Sequence, residues 1–245
     1  MGNSTILQAE TSISKKRGTD MVRVVSYNIH SGRDLFWRKR LNEMAATLRE
    51  LQADVIGLQE VHQNGKYGFQ AAFLADALEY EFAFAPSIPI ADGYYGNALL
   101  TRLPVEHVGR LDLPARKEKR CVLQASLFCS GTRVSFWVTH CSLNQASRLE
   151  QMKLLTDKAA KKNTPLLLMG DFNALNVSFA PMLTDCALAT GQDHLATLPA
   201  FRRRIDYLFA SSHWRIKHYA VAPVKWSDHV PIIAELELLP PVPAK

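Results

Sequence analysis

Cysteine is scarce in this 245-residue chain, and the four present, Cys121, Cys129, Cys141 and Cys186, form no CxxC pair. Their spacing matches no zinc framework. Sparse thiols in or beside apolar runs read as reduced, buried side chains, which fits a cytoplasmic home. No run of about 18 apolar residues is present, so a membrane-spanning helix is not expected. Residues 1–21 hold no apolar stretch long enough for a signal peptide. Met1-Gly2 begins like a myristoylation site, but that pattern wants Ser or Thr where Ile6 stands. There is no Gly-x-Ser-x-Gly elbow. Ser227-Asp228-His229 cannot be a hydrolase triad either, because a triad gathers its groups from separate segments. No internal repeat and no dividing linker is evident.

What is present is material for a core and a modest excess of positive charge. Hydrophobic residues make up 47% of the chain and the net charge is +6. A basic body favours anionic partners, whether nucleic acid, phospholipid or phosphorylated small molecules. Charge alone does not choose among them, and general solubility explains it equally well.

Apolar patterning outlines the elements. Residues 22–27, 54–58, 81–85, 97–101 and 105–108 read as strands. Leu41, Met44, Ala45, Leu48 and Leu51 recur at helical spacing, and residues 69–78 form a second helix. Residues 110–119 read as a charged loop. Residues 121–128 and 133–139 suit a hairpin turning at Ser130-Gly131-Thr132. Residues 145–160 are a helix with Leu149, Met152, Leu155 and Ala159 inward, followed by a buried strand at 166–169 and a short helix at 179–187. Strands near 205–210, 214–221 and 230–236 complete a pattern suited to two packed mixed sheets with helices outside.

Four phrases put acidic or amide oxygens beside these strand-like runs. Val24-Val25-Ser26-Tyr27 leads into Asn28, and Val55-Ile56-Gly57-Leu58 into Gln59-Glu60. The others are Gly170-Asp171-Phe172-Asn173-Ala174 and Trp226-Ser227-Asp228-His229-Val230-Pro231. Such oxygens suit a hard cation, and a neighbouring histidine can address a phosphate. Each residue also has a plain structural reading. Glu60 suits a surface loop or an arginine partner, and Asn28 a turn. Asp171 and Asn173 suit an Asp-x-Asn turn. Asp206 suits an ion pair with Arg202, Arg203 or Arg204. His140 suits a core rim, and Asn97 a turn after Gly96. The basic runs Lys119-Arg120 and Arg202-Arg203-Arg204 suit solvated faces.

With Thr139-His140 and Arg204-Ile205-Asp206-Tyr207, these phrases resemble, in order, the motif set of the endonuclease/exonuclease/phosphatase superfamily. That superfamily spans DNase I-like nucleases, exonuclease III-like repair enzymes, inositol-polyphosphate phosphatases and neutral sphingomyelinases. The chain is similar to its small stand-alone bacterial members. The resemblance runs from Asn28 to His229. It implies an α/β fold, a four-layer αββα sandwich of two mixed β-sheets flanked by helices. This would occupy residues 22–238, between a flexible arm (1–21) and a short tail (239–245).

It also implies phosphoester hydrolysis with Mg²⁺, or Mn²⁺ as substitute. Asn28, Glu60 and Asp228 match metal-binding positions. His140, Asp171, Asn173, Asp206 and His229 match catalytic ones. Asn97, Lys119 and Arg120 are expected to meet substrate. The leading expectation is a phosphodiesterase acting on DNA or RNA. A lipid- or inositol-phosphate-directed phosphoesterase is the alternative, and a catalytically silent binding module a further one. Specificity is expected in loops 33–40, 94–97 and 115–120. No aromatic wedge and no lipid-docking helix stands out.

Overall fold

The computed structural model describes residues 21–240. The expected arm and tail lie outside the described residues except at Met21, Leu239 and Pro240. The chain runs β1 (Met21–Asn28), α1 (Leu41–Leu51), β2 (Val55–Asn64), β3 (Gly68–Phe69), α2 (Gln70–Leu78), β4 (Glu81–Ile90), β5 (Gly93–Thr101) and β6 (Val105–Leu113). It continues with β7 (Arg120–Cys129), β8 (Thr132–His140), α3 (Gln145–Ala159), β9 (Leu166–Asp171), β10 (Leu183–Asp185) and α4 (Cys186–Ala189). Strands β11 (Asp206–Ser211), β12 (Trp214–Val221) and β13 (Ile232–Leu238) end the fold.

The strands form a seven-stranded sheet, β12-β13-β1-β2-β5-β4 with β3 beside β2, and a six-stranded sheet, β10-β11-β9-β8-β7-β6. Each has one parallel pair at its centre, β1 with β2 and β8 with β9. In both, a helix makes the crossover, α1 in the first and α3 in the second. Antiparallel partners flank both pairs in the same arrangement. The two sheets are therefore structural echoes of each other, a duplication that the sequence does not display.

Side chains alternate between the two faces of every strand. Val22, Val24, Leu99, Leu123, Phe136, Val138, Leu167, Met169 and Leu208 fill the layer between the sheets. Val25, Tyr27, Ile56 and Leu58 face outward under α1 and α2, while Trp137, Leu166, Leu168, Tyr207 and Phe209 pack in the layer that includes Leu155 and Ala159 of α3. Helix, sheet, sheet and helix make the four layers.

Several elements depart from the sequence pattern. Strand β2 runs on through Gln59 and Glu60 to Asn64. Strand β5 begins at Gly93, so 94–97 is strand and not loop, and β6 reaches Leu113. The expected helix at 179–187 is instead a turn and the three-residue strand β10, and only Cys186 and Ala187 belong to the four-residue α4. On α3, Leu149 is exposed while Gln151 is fully buried. Gln151 tolerates burial because its amide is satisfied. Its Oε1 accepts from Ser142 N at 2.8 Å and its Nε2 donates to Pro114 O at 2.8 Å.

Candidate active site

The alternation that builds the core also builds the site. Asn28 shares a face with Val22 and Val24, His140 with Phe136 and Val138, Asp171 with Leu167 and Met169, and Asp206 with Leu208. Each is the terminal residue of its strand. The layer between the sheets therefore changes from apolar to polar at one end. Contacts across the sheets confirm the meeting, since Asn28 Nδ2 donates to Asp171 Oδ2 at 3.1 Å. Within the second sheet, Gly170 lets β9 run close against β8 just before Asp171. Its φ is +145°, and a Cβ there would lie 1.9 Å from the Thr139 carbonyl oxygen.

Asp171 is the hub. Its Oδ2 lies 3.5 Å from His140 Nε2 and 3.8 Å from His229 Nε2. Its Oδ1 accepts from Asn173 N at 2.8 Å, the Asx turn that the local sequence suggests. Burial, reinforced by the Asp206 charge, pushes its pKa up to about 7, against the opposing pull of His229.

His229 Nδ1 and Asp206 Oδ2 are 2.8 Å apart. Burial alone would lower this imidazole. The charges of Asp206, Asp171 and Asp228 override it and hold the pKa up at about 10, so the ring is cationic at neutral pH. Two hydroxyls brace the pair. Thr197 Oγ1 accepts from both Ile205 N and Asp206 N at 3.1 Å, and Val230 N donates to Thr197 O. Ser227 Oγ donates to Asn28 O at 2.8 Å and accepts from His229 N at 3.2 Å.

His140 is the opposite case. Burial, then the charges of Arg120 and His229, hold its pKa well below the usual imidazole range, so it is neutral. Arg120 Nη1 sits 3.1 Å from Nδ1 and can only donate. Nε2, the other ring nitrogen, faces Asp171. Asn173 Nδ2 lies 3.1 Å from the same Nε2 and donates to Cys141 O at 3.0 Å.

Glu60 reaches the site through a backbone irregularity. By plain alternation it would share the outward face of Ile56 and Leu58. A register shift against β5 between Leu58 and Val61, with Glu60 at φ +60°, re-aims the side chain. Its Oε1 accepts from Asn28 Nδ2 at 3.1 Å, and the Tyr95 hydroxyl bonds to the same carboxylate. Neither partner brings a positive charge. Asp228 Oδ1 lies 3.7 Å from His30 Nδ1, and His30 N donates to Asn28 Oδ1 at 3.0 Å.

Asp171, Asp206 and His229 also place one ligand-type atom each within 4.8 Å of the others. That trio is already internally compensated, because a cationic imidazole cannot donate a lone pair to a metal. The Glu60 carboxylate, which has no cationic partner, is the better hard-cation donor, with the Asn28 side chain beside it.

Not every expected residue joins this cluster. Asn97 is buried between the sheets, its Nδ2 donating to Cys121 O at 3.0 Å, so it does not offer its amide to a substrate from a loop. Lys119 is exposed, whereas Arg120 is buried against His140 and bonds Glu118 Oε2 at 2.8 Å. Arg204 pairs with Asp185 at 2.8 Å and covers the Tyr207 ring; Asp206 pairs with His229 and not with an arginine. Tyr95 and Thr197 went unrecognised as site residues. Strand pairing brings Tyr95 in, and the turn before β11 brings Thr197 in.

A family model described as Endonuclease/Exonuclease/phosphatase family matches residues 25–229. The chain belongs to that family of phosphoester hydrolases. Among curated proteins it is 27% identical to the uncharacterized protein YbhP of Escherichia coli K12, over 88% of this chain and 96% of that one. Among solved structures, an endonuclease/exonuclease/phosphatase from Beutenbergia cavernae matches with TM-score 0.69 and 24% identity, over 90% of this chain and 72% of that one. D. rerio TDP2 complexed with a single-strand DNA product gives 0.75 and 19%, over 89% and 99%. A Bacteroides thetaiotaomicron mannosyl-6-phosphatase gives 0.70 and 19%, over 88% and 99%. At such identities these structures establish the shared fold of the endonuclease/exonuclease/phosphatase family, the two mixed sheets flanked by helices.

Proposed function

We propose that this protein is a Mg²⁺-dependent phosphodiesterase that cleaves by direct attack of water, with Mn²⁺ as an effective substitute. The observation that carries this reading is Asp171, a buried carboxylate facing one cationic and one neutral imidazole. Glu60, Asn28 and Asp228 would hold the cation, which supplies charge neutralisation at the phosphate and the leaving oxygen. Asp171 takes a proton from the attacking water while the water oxygen bonds to phosphorus. The cationic His229, oriented by Asp206, stabilises the charge that builds on the phosphoryl oxygens. His140 hydrogen-bonds the same oxygens through Nε2, with Arg120 at Nδ1 holding the ring in place. The Asn173 amide adds a further donor. The P–O bond to the leaving group breaks, and no covalent enzyme intermediate is required.

Nucleic acid is one polyanionic substrate that the basic body would accept. Lys119, Arg202 and Arg203 remain exposed for such contacts, while Arg204 does not. A lipid-borne phosphodiester is the second reading, and the loop after β1 favours it. Hydrolysis of bis-p-nitrophenyl phosphate tests the chemistry independently of either. Turnover should vanish in EDTA and return with Mg²⁺ or Mn²⁺. Undiminished turnover with metal verified absent would overturn the reading.

A further inference from the structure

Three consecutive large apolar residues stand in solvent beside the site. Leu35 is 53% exposed, Phe36 77% and Trp37 65%. Isolated apolar residues on a surface need no explanation, but an exposed run of three does. The tip that carries them is tightly organised. The buried Asp34 accepts from Phe36 N at 2.9 Å and Arg38 N at 3.0 Å through Oδ1. Its Oδ2 accepts from Arg38 Nε at 2.8 Å and Arg40 Nε at 2.9 Å. Arg33 pairs with Lys39 across its base, and Arg33 Nη1 donates to Trp37 O at 2.7 Å. Trp37 is held at φ +62°, a conformation disfavoured for a bulky residue. A turn this constrained displays its apolar side chains by construction.

The tip belongs to the catalytic end of the sandwich. The Trp37 ring lies 5.1 Å from that of His30, whose Nδ1 is 3.7 Å from Asp228. Other loops at the ends of the catalytic strands repeat the pattern. Leu143 follows His140, Leu175 follows Asp171, and Phe201 precedes Asp206; all three are exposed. Basic residues collar these positions. Arg38 and Lys39 follow the first tip, and Arg202 and Arg203 follow Phe201, all exposed.

We propose that these loops seat the mouth of the site on an anionic lipid bilayer, with Leu35, Phe36 and Trp37 inserted below the headgroups. The substrate class is then a phosphodiester carried by a lipid. This deepens the phosphodiesterase reading and rests on it. Charge complementarity favours a surface with negative headgroups. The mixture of residues favours lipid over nucleobases. Stacking on a base needs a π-face, which the exposed leucines lack, whereas a bilayer accepts leucine, phenylalanine and interfacial tryptophan alike.

Trp37 is also the reporter. Trp137 and Trp214 are buried, and the Trp226 indole donates to Thr47 at 3.0 Å. Emission of the full-length protein, in EDTA so that no turnover intervenes, is measured with phosphatidylcholine vesicles, phosphatidylcholine/phosphatidylglycerol vesicles and a single-stranded oligonucleotide. A blue shift with the phosphatidylglycerol vesicles, absent in Trp37→Phe, is expected. Phe36→Ala should weaken vesicle partitioning ~10-fold. It should lower hydrolysis of phospholipid in those vesicles to match, with bis-p-nitrophenyl phosphate turnover unchanged. No shift with anionic vesicles, unaltered partitioning in Phe36→Ala, or a response to the oligonucleotide alone would overturn the proposal. Loss of bis-p-nitrophenyl phosphate turnover in wild type would count against the site chemistry instead, because the emission shift requires no catalysis.

Discussion

Replacing Asp206 by asparagine should convert His229 from a permanent cation into an ordinary titrating group. The pair is buried, with Nδ1 and Oδ2 2.8 Å apart. Holding the ring at about 10, against 6.5, corresponds to about 5 kcal/mol of preference for the charged form. Asp171 and Asp228 contribute part of this and remain in Asp206→Asn. The charge-assisted bond lost is worth about 2–3 kcal/mol, so kcat at pH 8 should fall roughly 30- to 150-fold. The decisive signature is its pH dependence. In wild type the ring stays protonated until pH approaches about 10. Burial dominates once Asp206 is neutral, so the basic limb of kcat should move down toward neutrality, with partial recovery of activity at acid pH. Stability follows the same linkage. A raised histidine contributes fully below pH 6.5 and loses that contribution as pH rises through about 10. The assays are kcat–pH profiles and an NMR titration of the His229 ring in metal-free protein. An unchanged basic limb, or an NMR pKa still near the wild-type value, would refute the assigned pairing.

Further outcomes follow from neighbouring residues. Asp171→Asn should cut kcat by at least ~10²-fold, since the interaction is made in the transition state. In metal-free protein the same change should raise the melting temperature at pH 8. Wild type there deprotonates a carboxyl whose pKa is pushed from 3.8 to about 7, costing up to about 4 kcal/mol. The advantage should shrink as pH falls through that window, and equal melting at pH 8 would contradict the burial argument. Glu60→Gln should raise the Mg²⁺ concentration for half-maximal turnover at least ~10-fold with melting nearly unchanged, as read by a metal titration. Gly170→Ala should destabilise by about 3 kcal/mol or more in chemical denaturation, because its Cβ meets the Thr139 carbonyl oxygen.

Much of this was legible in the chain because period-two patterning carries past the core. The phase of Val134, Phe136 and Val138 leads to His140, and that of Leu167 and Met169 to Asp171. Strand ends and their polar residues could be read together. Glu60 shows where the pattern stops. Its identity was readable, but its delivery depends on a bulge that reverses the alternation, and no residue type in Gln59-Glu60-Val61 announces one. Leu149 and Gln151 exchange the places that hydropathy assigns them, because hydrogen bonds to Ser142 and Pro114 satisfy the buried amide. Arg120 and Tyr95 act through partners far along the chain, and Thr197 through a turn that brings it back onto Ile205 and Asp206, none of which spacing encodes. The constrained tip at Leu35, Phe36 and Trp37 depends on the bonding of Asp34 and likewise emerges only in three dimensions.

The central claim is that water held by Asp171 attacks phosphorus directly. The stereochemical course of hydrolysis of a chiral phosphorothioate diester in ¹⁸O-labelled water tests it most directly. One in-line displacement inverts the configuration at phosphorus, and inversion is the result predicted here. Net retention would require two displacements through a covalent enzyme intermediate and would contradict the account.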